Sequence, residues 1–126
     1  IDIAPLPGGL SNANYLVKDA VGRHVVRIGQ DYPFHHVFRE REMMTARAAH
    51  AAGFAPAVHY TGPGVMVTEY LGAKAYVAQD VRADFGRVAA LLRGFHREMP
   101  GHVSGAGFMF WVFHVIRDYA RTLEEG

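Results

Sequence analysis

Short runs of bulky or alternating apolar residues recur through the first 71 residues, and glycine, proline or aspartate follows each run directly or one residue later. Runs of this length and composition are typical of β-strands, and the residues between them are typical of turns. The predicted strands are Asp2–Leu6, residues 14–18, Arg23–Ile28, residues 57–60 and residues 65–71. Several of the turns are hairpin-like, which predicts an antiparallel sheet.

One segment between the third and fourth predicted strands has helical rather than strand spacing. Apolar residues including Val37, Met44 and Ala48 recur on one face of a helix over residues 34–52. Gly53 follows the last of them and is a common residue at the end of a helix. We therefore predict one helix inserted after the third strand.

Residues 72–126 have a helical composition. Apolar positions recur through residues 81–99 as in an amphipathic helix, with Asp80 as a suitable N-cap, and a second helix is predicted over residues 110–123. The predicted fold class is α+β, with about five antiparallel strands and one helix followed by further helices. Because the apolar faces of the last two helices need a surface to pack on, we expect the chain to be the front portion of a longer protein.

Arg27 lies in the middle of the third predicted strand, on the face that alternation assigns to Arg23 and Val25. A charged side chain among apolar neighbours is costly unless it has a partner. Glu42 is a candidate partner because two methionines follow it directly and it lies near the edge of the apolar stripe of its helix. Two alternatives remain open at this point: an edge strand with a solvated arginine, and a solvated charged helix face over residues 39–42.

The turn between the first two strands carries two adjacent glycines, Gly8 and Gly9, followed by the polar side chains of Ser11, Asn12 and Asn14. Glycine lets the main chain take unusual dihedral angles and lets a ligand approach the backbone closely. Such a turn next to a strand can cover phosphate groups. It can also be an ordinary hairpin turn, because paired glycines are common turn residues.

Composition excludes several classes of function. The net charge is +1 and the basic residues are scattered, so neither nucleic acid nor an anionic membrane surface is an expected partner. The chain contains no cysteine, which excludes disulfides and thiolate metal sites and suits the cytoplasm. We predict no membrane span, no secretory signal and no metal site, and we interpret the aromatic run at residues 108–113 as packing.

The order of these elements resembles the small lobe of a protein-kinase-like fold. The amino-acid sequences of these segments resemble those of the choline/ethanolamine kinase family, within the aminoglycoside phosphotransferase superfamily. The matching segments are residues 8–17 for the glycine loop, 25–28 for the third strand, 39–42 for the helix, 52–56 for the turn after it, 67–72 for the hinge and 91–96 for the first large-lobe helix.

The resemblance implies a nucleotide-binding lobe at residues 1–71, with the hinge and the first helices of a truncated large lobe at residues 72–126. The glycine loop would cover the phosphates of ATP, and Arg27, in the place of the usual lysine, would be oriented by Glu42. Thr68 would be the gatekeeper, and the backbones of Glu69 and Leu71 would bind adenine. The residues implied in nucleotide binding are Gly8, Gly9, Leu10, Ser11, Asn12, Arg27, Glu42, Thr68, Glu69 and Leu71.

The catalytic half of the kinase pattern does not occur in these 126 residues. The family's catalytic loop reads H-x-D-x-x-x-x-N, but the last asparagine of this chain is Asn14, and the setting of Asp118 fits neither that loop nor a magnesium ligand. We therefore expect the catalytic base and the Mg²⁺ ligands outside this chain.

Three functions remain as hypotheses for the parent protein. The first is a kinase that phosphorylates a small alcohol such as choline, ethanolamine or a thiamine-like compound. The second is an aminoglycoside or sugar-amine phosphotransferase. The third is a pseudokinase, a module that binds nucleotide without catalysis. The oligomeric state stays open.

Overall fold

The computed structural model describes residues 1–105 and 109–125. The chain has five strands, β1 (Asp2–Leu6), β2 (Ala13–Lys18), β3 (Arg23–Ile28), β4 (Val58–Gly62) and β5 (Val65–Glu69), and the first helix lies between β3 and β4. The helices are α1 (Arg39–Ala51), α2 (Ala78–Ala83), α3 (Phe85–Glu98) and α4 (Val112–Glu125), and short 3₁₀ turns lie at Pro33–His35 and Met99–Gly101. The predicted α+β class is confirmed.

The five strands form one antiparallel sheet in the order β1-β2-β3-β5-β4. β3 lies at the centre of the sheet, so the alternative that placed Arg27 on an edge strand is wrong. The register sets Asn14 opposite Arg27 and Arg27 opposite Met66. Because directly opposed residues point to the same face, these three side chains share the face that α1 covers.

The helix after β3 begins five residues later than predicted, at Arg39 rather than residue 34. His36 has a φ of 56°, a left-handed conformation that separates the 3₁₀ turn from α1. The Arg39 backbone N–H then donates to Asp31 Oδ1 at 2.7 Å. A side chain from the preceding loop therefore satisfies a helix N-terminal donor, which sets where α1 begins.

The predicted helix over residues 81–99 is divided in two. Asp84 has a φ of −107° and a ψ of 27°, which ends α2 before α3 begins. The predicted N-cap role of Asp80 is wrong, because this residue lies within α2. Its carboxylate instead accepts hydrogen bonds from the Val77 backbone N–H and from Lys74 Nζ, each at 2.9 Å. The start of α2 is therefore capped from inside the first turn.

A small apolar core joins α1 to the end of α3. Ala48 and Ala49 of α1 are buried against Met99, and Phe95 packs beside them. The Phe95 ring meets Phe54 edge-on at 5.5 Å between centroids. The C-terminal half of α1 is thus packed against the end of α3 and the 3₁₀ turn that follows it.

The last described helix and the residues just before it contact the segment between β3 and α1. Tyr119 Oη lies 2.9 Å from His35 Nδ1, and the Phe110 and His36 rings meet edge-on at 6.0 Å. Part of the aromatic run predicted as packing, including Phe108, lies outside the described residues. Among those that are described, no helix has the length and apolarity needed to cross a bilayer.

Gly64 lies where the β4–β5 hairpin packs against the end of β3. Its φ is 69°, and a Cβ there would lie 2.6 Å from the Gly29 carbonyl oxygen. Gly53 has a similar φ of 82° but open space around it. We expect Gly64→Ala to lower the free energy of unfolding by about 1–3 kcal/mol more than Gly53→Ala, because only Gly64→Ala adds a steric clash to the backbone strain.

The comparison is made by urea denaturation of both variants and the parent protein. Equal losses for the two variants would show that the hairpin moves aside at no cost, and that its fit against β3 is loose.

Candidate functional site

The glycine turn between β1 and β2 has the conformation expected from its sequence. Gly8 and Gly9 have φ values of 109° and 95°, which L-residues rarely adopt. A Cβ on Gly9 would also collide with Asn12 Oδ1. Leu10 at the tip is fully exposed, whereas Ser11 and Asn12 are partly buried. The turn therefore presents the bare backbone of Gly8 and Gly9 beside an exposed Leu10, and it is packed at its base.

Asn14 connects this turn to Arg27. Asn14 Nδ2 donates to the Gly8 carbonyl oxygen at 3.0 Å and to Asn12 Oδ1 at 3.2 Å. Its Oδ1 accepts a hydrogen bond from Arg27 Nε at 3.1 Å. One amide thus holds both the turn and the arginine of the adjacent strand.

Arg27 and Glu42 meet as the sequence predicted. Arg27 Nη1 donates to Glu42 Oε1 and forms an ion pair with it. The Arg27 side chain remains 39% exposed, and the structure shows no hydrogen bond for its Nη2 within residues 1–105 and 109–125. The arginine is therefore oriented on one side and available to a ligand on the other.

Glu42 has a second cationic partner, Arg39, which sequence reasoning missed. Arg39 Nη1 donates to Glu42 Oε2 at 2.6 Å, so each carboxylate oxygen of Glu42 faces one arginine. Partial burial by itself would raise the pKa of Glu42. The hydrogen bonds from Arg39 and Arg27 outweigh burial and hold this pKa below its ordinary value of 4.5.

The alternative of a solvated face over residues 39–42 holds only for Glu40 and Arg41, which are exposed, because Arg39 is only 7% exposed and Glu42 is partly buried. A sequence signal for this existed. Arg39 precedes Glu42 by three residues, a spacing that places two helical side chains side by side. An arginine facing an inward glutamate is itself turned inward.

The three predicted hinge residues lie at the other end of β5. Thr68 is two residues beyond Met66, on the same face of the sheet as Arg27. The Glu69 N–H donates to the Ala57 carbonyl at 2.9 Å. Leu71 is exposed, and in the described part of the chain its N–H shows no hydrogen bond. The structure therefore joins the turn, Arg27 and Glu42 directly, and it places the hinge residues apart from them.

A cleft of about 1070 Å³ lies between the β3–α1 connection and the β4–β5 hairpin. Arg39 lines it, but none of the ten predicted residues does. No group of three or more histidine, aspartate or glutamate residues in the described ranges could hold a metal ion. The candidate site is therefore an open, cationic surface beneath the glycine turn.

Comparison with known structures identifies the fold. An ethanolamine kinase from Plasmodium vivax is similar in structure, with a TM-score of 0.69 and 17% sequence identity. The superposition covers 98% of this chain and 37% of that kinase, so the chain spans little more than a third of its length. This likeness confirms the predicted fold, the small lobe of a kinase-like protein and the helices after it.

Sequence comparison gives a family but no individual relative. No curated protein matches the chain significantly in sequence. The sequence profile of the phosphotransferase enzyme family matches residues 2–123, nearly the whole chain. Since the profile match and the fold agree, the chain belongs to the phosphotransferase enzyme family.

Proposed function

We propose that the protein carrying this chain transfers the γ-phosphoryl group of ATP to the hydroxyl of a small alcohol. In this proposal residues 1–71 are the nucleotide-binding lobe, and residues 72–126 are the hinge and the first helices of the large lobe. The observation that carries it is Arg27, a half-exposed cation on the central strand, fixed by Glu42 and placed beside a glycine turn.

The site suits a polyphosphate. A guanidinium offers planar donors that match phosphate oxygens, and Arg27 keeps one nitrogen, Nη2, without a partner among the described residues. Residues 8–12 would cover the phosphates, with the bare backbone at Gly8 and Gly9 allowing close approach. Glu42 would hold Arg27 in the orientation that binding needs, so that little ordering remains to be done when the nucleotide arrives.

The hinge residues suit adenine. The Leu71 N–H would donate to one edge of the base and the Glu69 carbonyl oxygen would accept from it, since the Glu69 N–H is already used by Ala57. Thr68 would limit the depth of the base pocket. Bound ATP supplies the transferred group, and Mg²⁺ neutralises part of its charge. We expect the Mg²⁺ ligands and the catalytic base outside residues 1–126.

The proposal is tested with the full-length protein, Mg²⁺-ATP and a panel of acceptors: choline, ethanolamine, thiamine and an aminoglycoside. ADP release that depends on one of the simple alcohols is the expected result, with acceptor-free and EDTA-treated reactions as controls. Turnover with the aminoglycoside alone would show that the protein is an antibiotic or sugar-amine kinase. ATP binding without turnover on any acceptor would indicate a pseudokinase. Absence of ATP binding would overturn the proposal altogether.

A further inference from the structure

Arg39 makes more contacts than a helix-surface arginine needs. Its Nε donates to the Gln30 carbonyl oxygen at 2.9 Å, its Nη1 donates to Glu42 Oε2 at 2.6 Å, and its Nη2 donates to the Ser11 carbonyl oxygen. All three guanidinium nitrogens are thus used, each on a different segment of the chain. One of those segments is the base of the glycine turn.

The fold also makes room for this guanidinium. A Cβ on Gly29 would lie 2.9 Å from both Arg39 Cζ and Nη2, and 3.0 Å from Nε. The side chain therefore lies directly against the backbone at Gly29, where any larger residue would push it away. Burial to 7% exposure without full pairing would be costly, so these contacts are what keep the arginine in place.

The contacts close a ring around the turn. Arg39 links Ser11 to Glu42, Glu42 links to Arg27, and Arg27 returns through Asn14 to the far side of the same turn. The carboxylate of Glu42 is consequently held from both sides. Movement of the turn away from the sheet would break hydrogen bonds to the same ion-pair cluster that presents Arg27.

From this ring we infer that Arg39 is a positioning residue, which holds the glycine turn in the position where the turn covers the phosphates. The inference rests on the proposed function, because it assumes that the turn covers a nucleotide. Arg39 itself touches no phosphate in this scheme. It acts through the Ser11 carbonyl and through Glu42.

The inference is tested by calorimetric titration of the full-length protein with Mg²⁺-ATP and, separately, with adenosine. Arg39→Met should weaken ATP binding about tenfold, the effect of losing one charge-assisted hydrogen bond to the turn. Adenosine binding should stay unchanged, because adenosine contacts the hinge and not the turn. The matched control is Arg47→Met, which removes an exposed arginine of the same helix. Within residues 1–105 and 109–125 the side chain of Arg47 donates only to Thr61 Oγ1, so this variant should bind both ligands normally.

Two further variants keep the test decisive if Arg39→Met folds poorly. Arg39→Lys keeps the charge but cannot reach all three acceptors, so we expect only partial recovery of ATP affinity. Gly29→Ala displaces the guanidinium without removing it, and should reproduce the selective loss of ATP binding. Gly22→Ala, at a glycine with open space around it, should not.

The outcomes separate this inference from the proposed function. A parent protein that binds neither ATP nor adenosine would refute both. A parent that binds ATP, with Arg39→Met and Gly29→Ala binding it equally well per folded molecule, would refute the positioning role alone. An equal loss of ATP and adenosine binding would show that Arg39 is merely structural.

Discussion

Replacing Arg27 with methionine should lower kcat/KM for ATP by about 10²- to 10³-fold, while the melting temperature falls by only a few degrees. The large kinetic effect is expected because a preorganised cation aimed at transferring phosphate is worth about as much as a donor of an oxyanion hole. The small stability effect is expected because the Arg27 side chain is 39% exposed, and partly solvated ion pairs contribute about 1 kcal/mol or less. Glu42 also keeps its second partner, Arg39, in this variant.

Steady-state kinetics with varied ATP and a thermal melt on the same preparation make the measurement. Arg27→Lys should retain part of the activity, since an ammonium keeps the charge but loses the contact to either Asn14 or Glu42. Arg47→Met serves again as the control and should match the parent protein. If the melting temperature collapses while ATP affinity per folded molecule is unchanged, the Arg27–Glu42 pair is structural and the proposed function loses its main support.

The strands and turns of the sheet could be predicted from the sequence because local rules determine them. The Arg27–Glu42 pair is a contact between a strand and a helix, which the residue pattern leaves open and the family resemblance implies. The turn at residues 19–22 sets Lys18 opposite Arg23, and the same register carries Asn14 to a position opposite Arg27. Strand alternation then puts Arg27 on the helix-facing side. The register alone places Asn14 beside Arg27, whereas the hydrogen bonds of Asn14 to Gly8 and Asn12 depend on the conformation of the turn.

The start of α1 could not be predicted because tertiary contacts determine it, and for the burial of Arg39 the sequence carries only one signal, the three-residue spacing to Glu42. Hydrophobic periodicity treats every arginine as solvated, whereas three acceptors on three segments hold Arg39 in the interior. The left-handed conformation of His36 likewise has no local signal, since histidine only tolerates it. The break between α2 and α3 at Asp84 could not be predicted either, because the apolar pattern of the sequence continues through it.

The most destabilising substitution in the cluster should be Glu42→Leu, which removes the anion that two arginines share. Arg39 would then be buried without a counter-ion, and Arg27 would face it at close range. Removing one member of a buried ion pair costs about 3–5 kcal/mol, and the partial exposure of Glu42 reduces the expected loss to about 2–3 kcal/mol. Glu40→Leu, at an exposed glutamate on the same first turn, should change stability by about 0.5 kcal/mol or less.

A pH series on Glu42→Gln distinguishes the loss of charge from the loss of packing. Because the pKa of folded Glu42 lies below its ordinary value of 4.5, ionised Glu42 stabilises the fold fully above that pH. This contribution is lost as the pH falls through the lowered, folded-state pKa, where the parent protein becomes protonated and resembles the amide. The difference in melting temperature between the parent and Glu42→Gln should therefore be largest near pH 6–7 and should shrink steadily below about pH 4.5. A difference that stays constant down to pH 3 would mean that shape rather than charge holds the two arginines, and that the cluster does not present Arg27 by electrostatics.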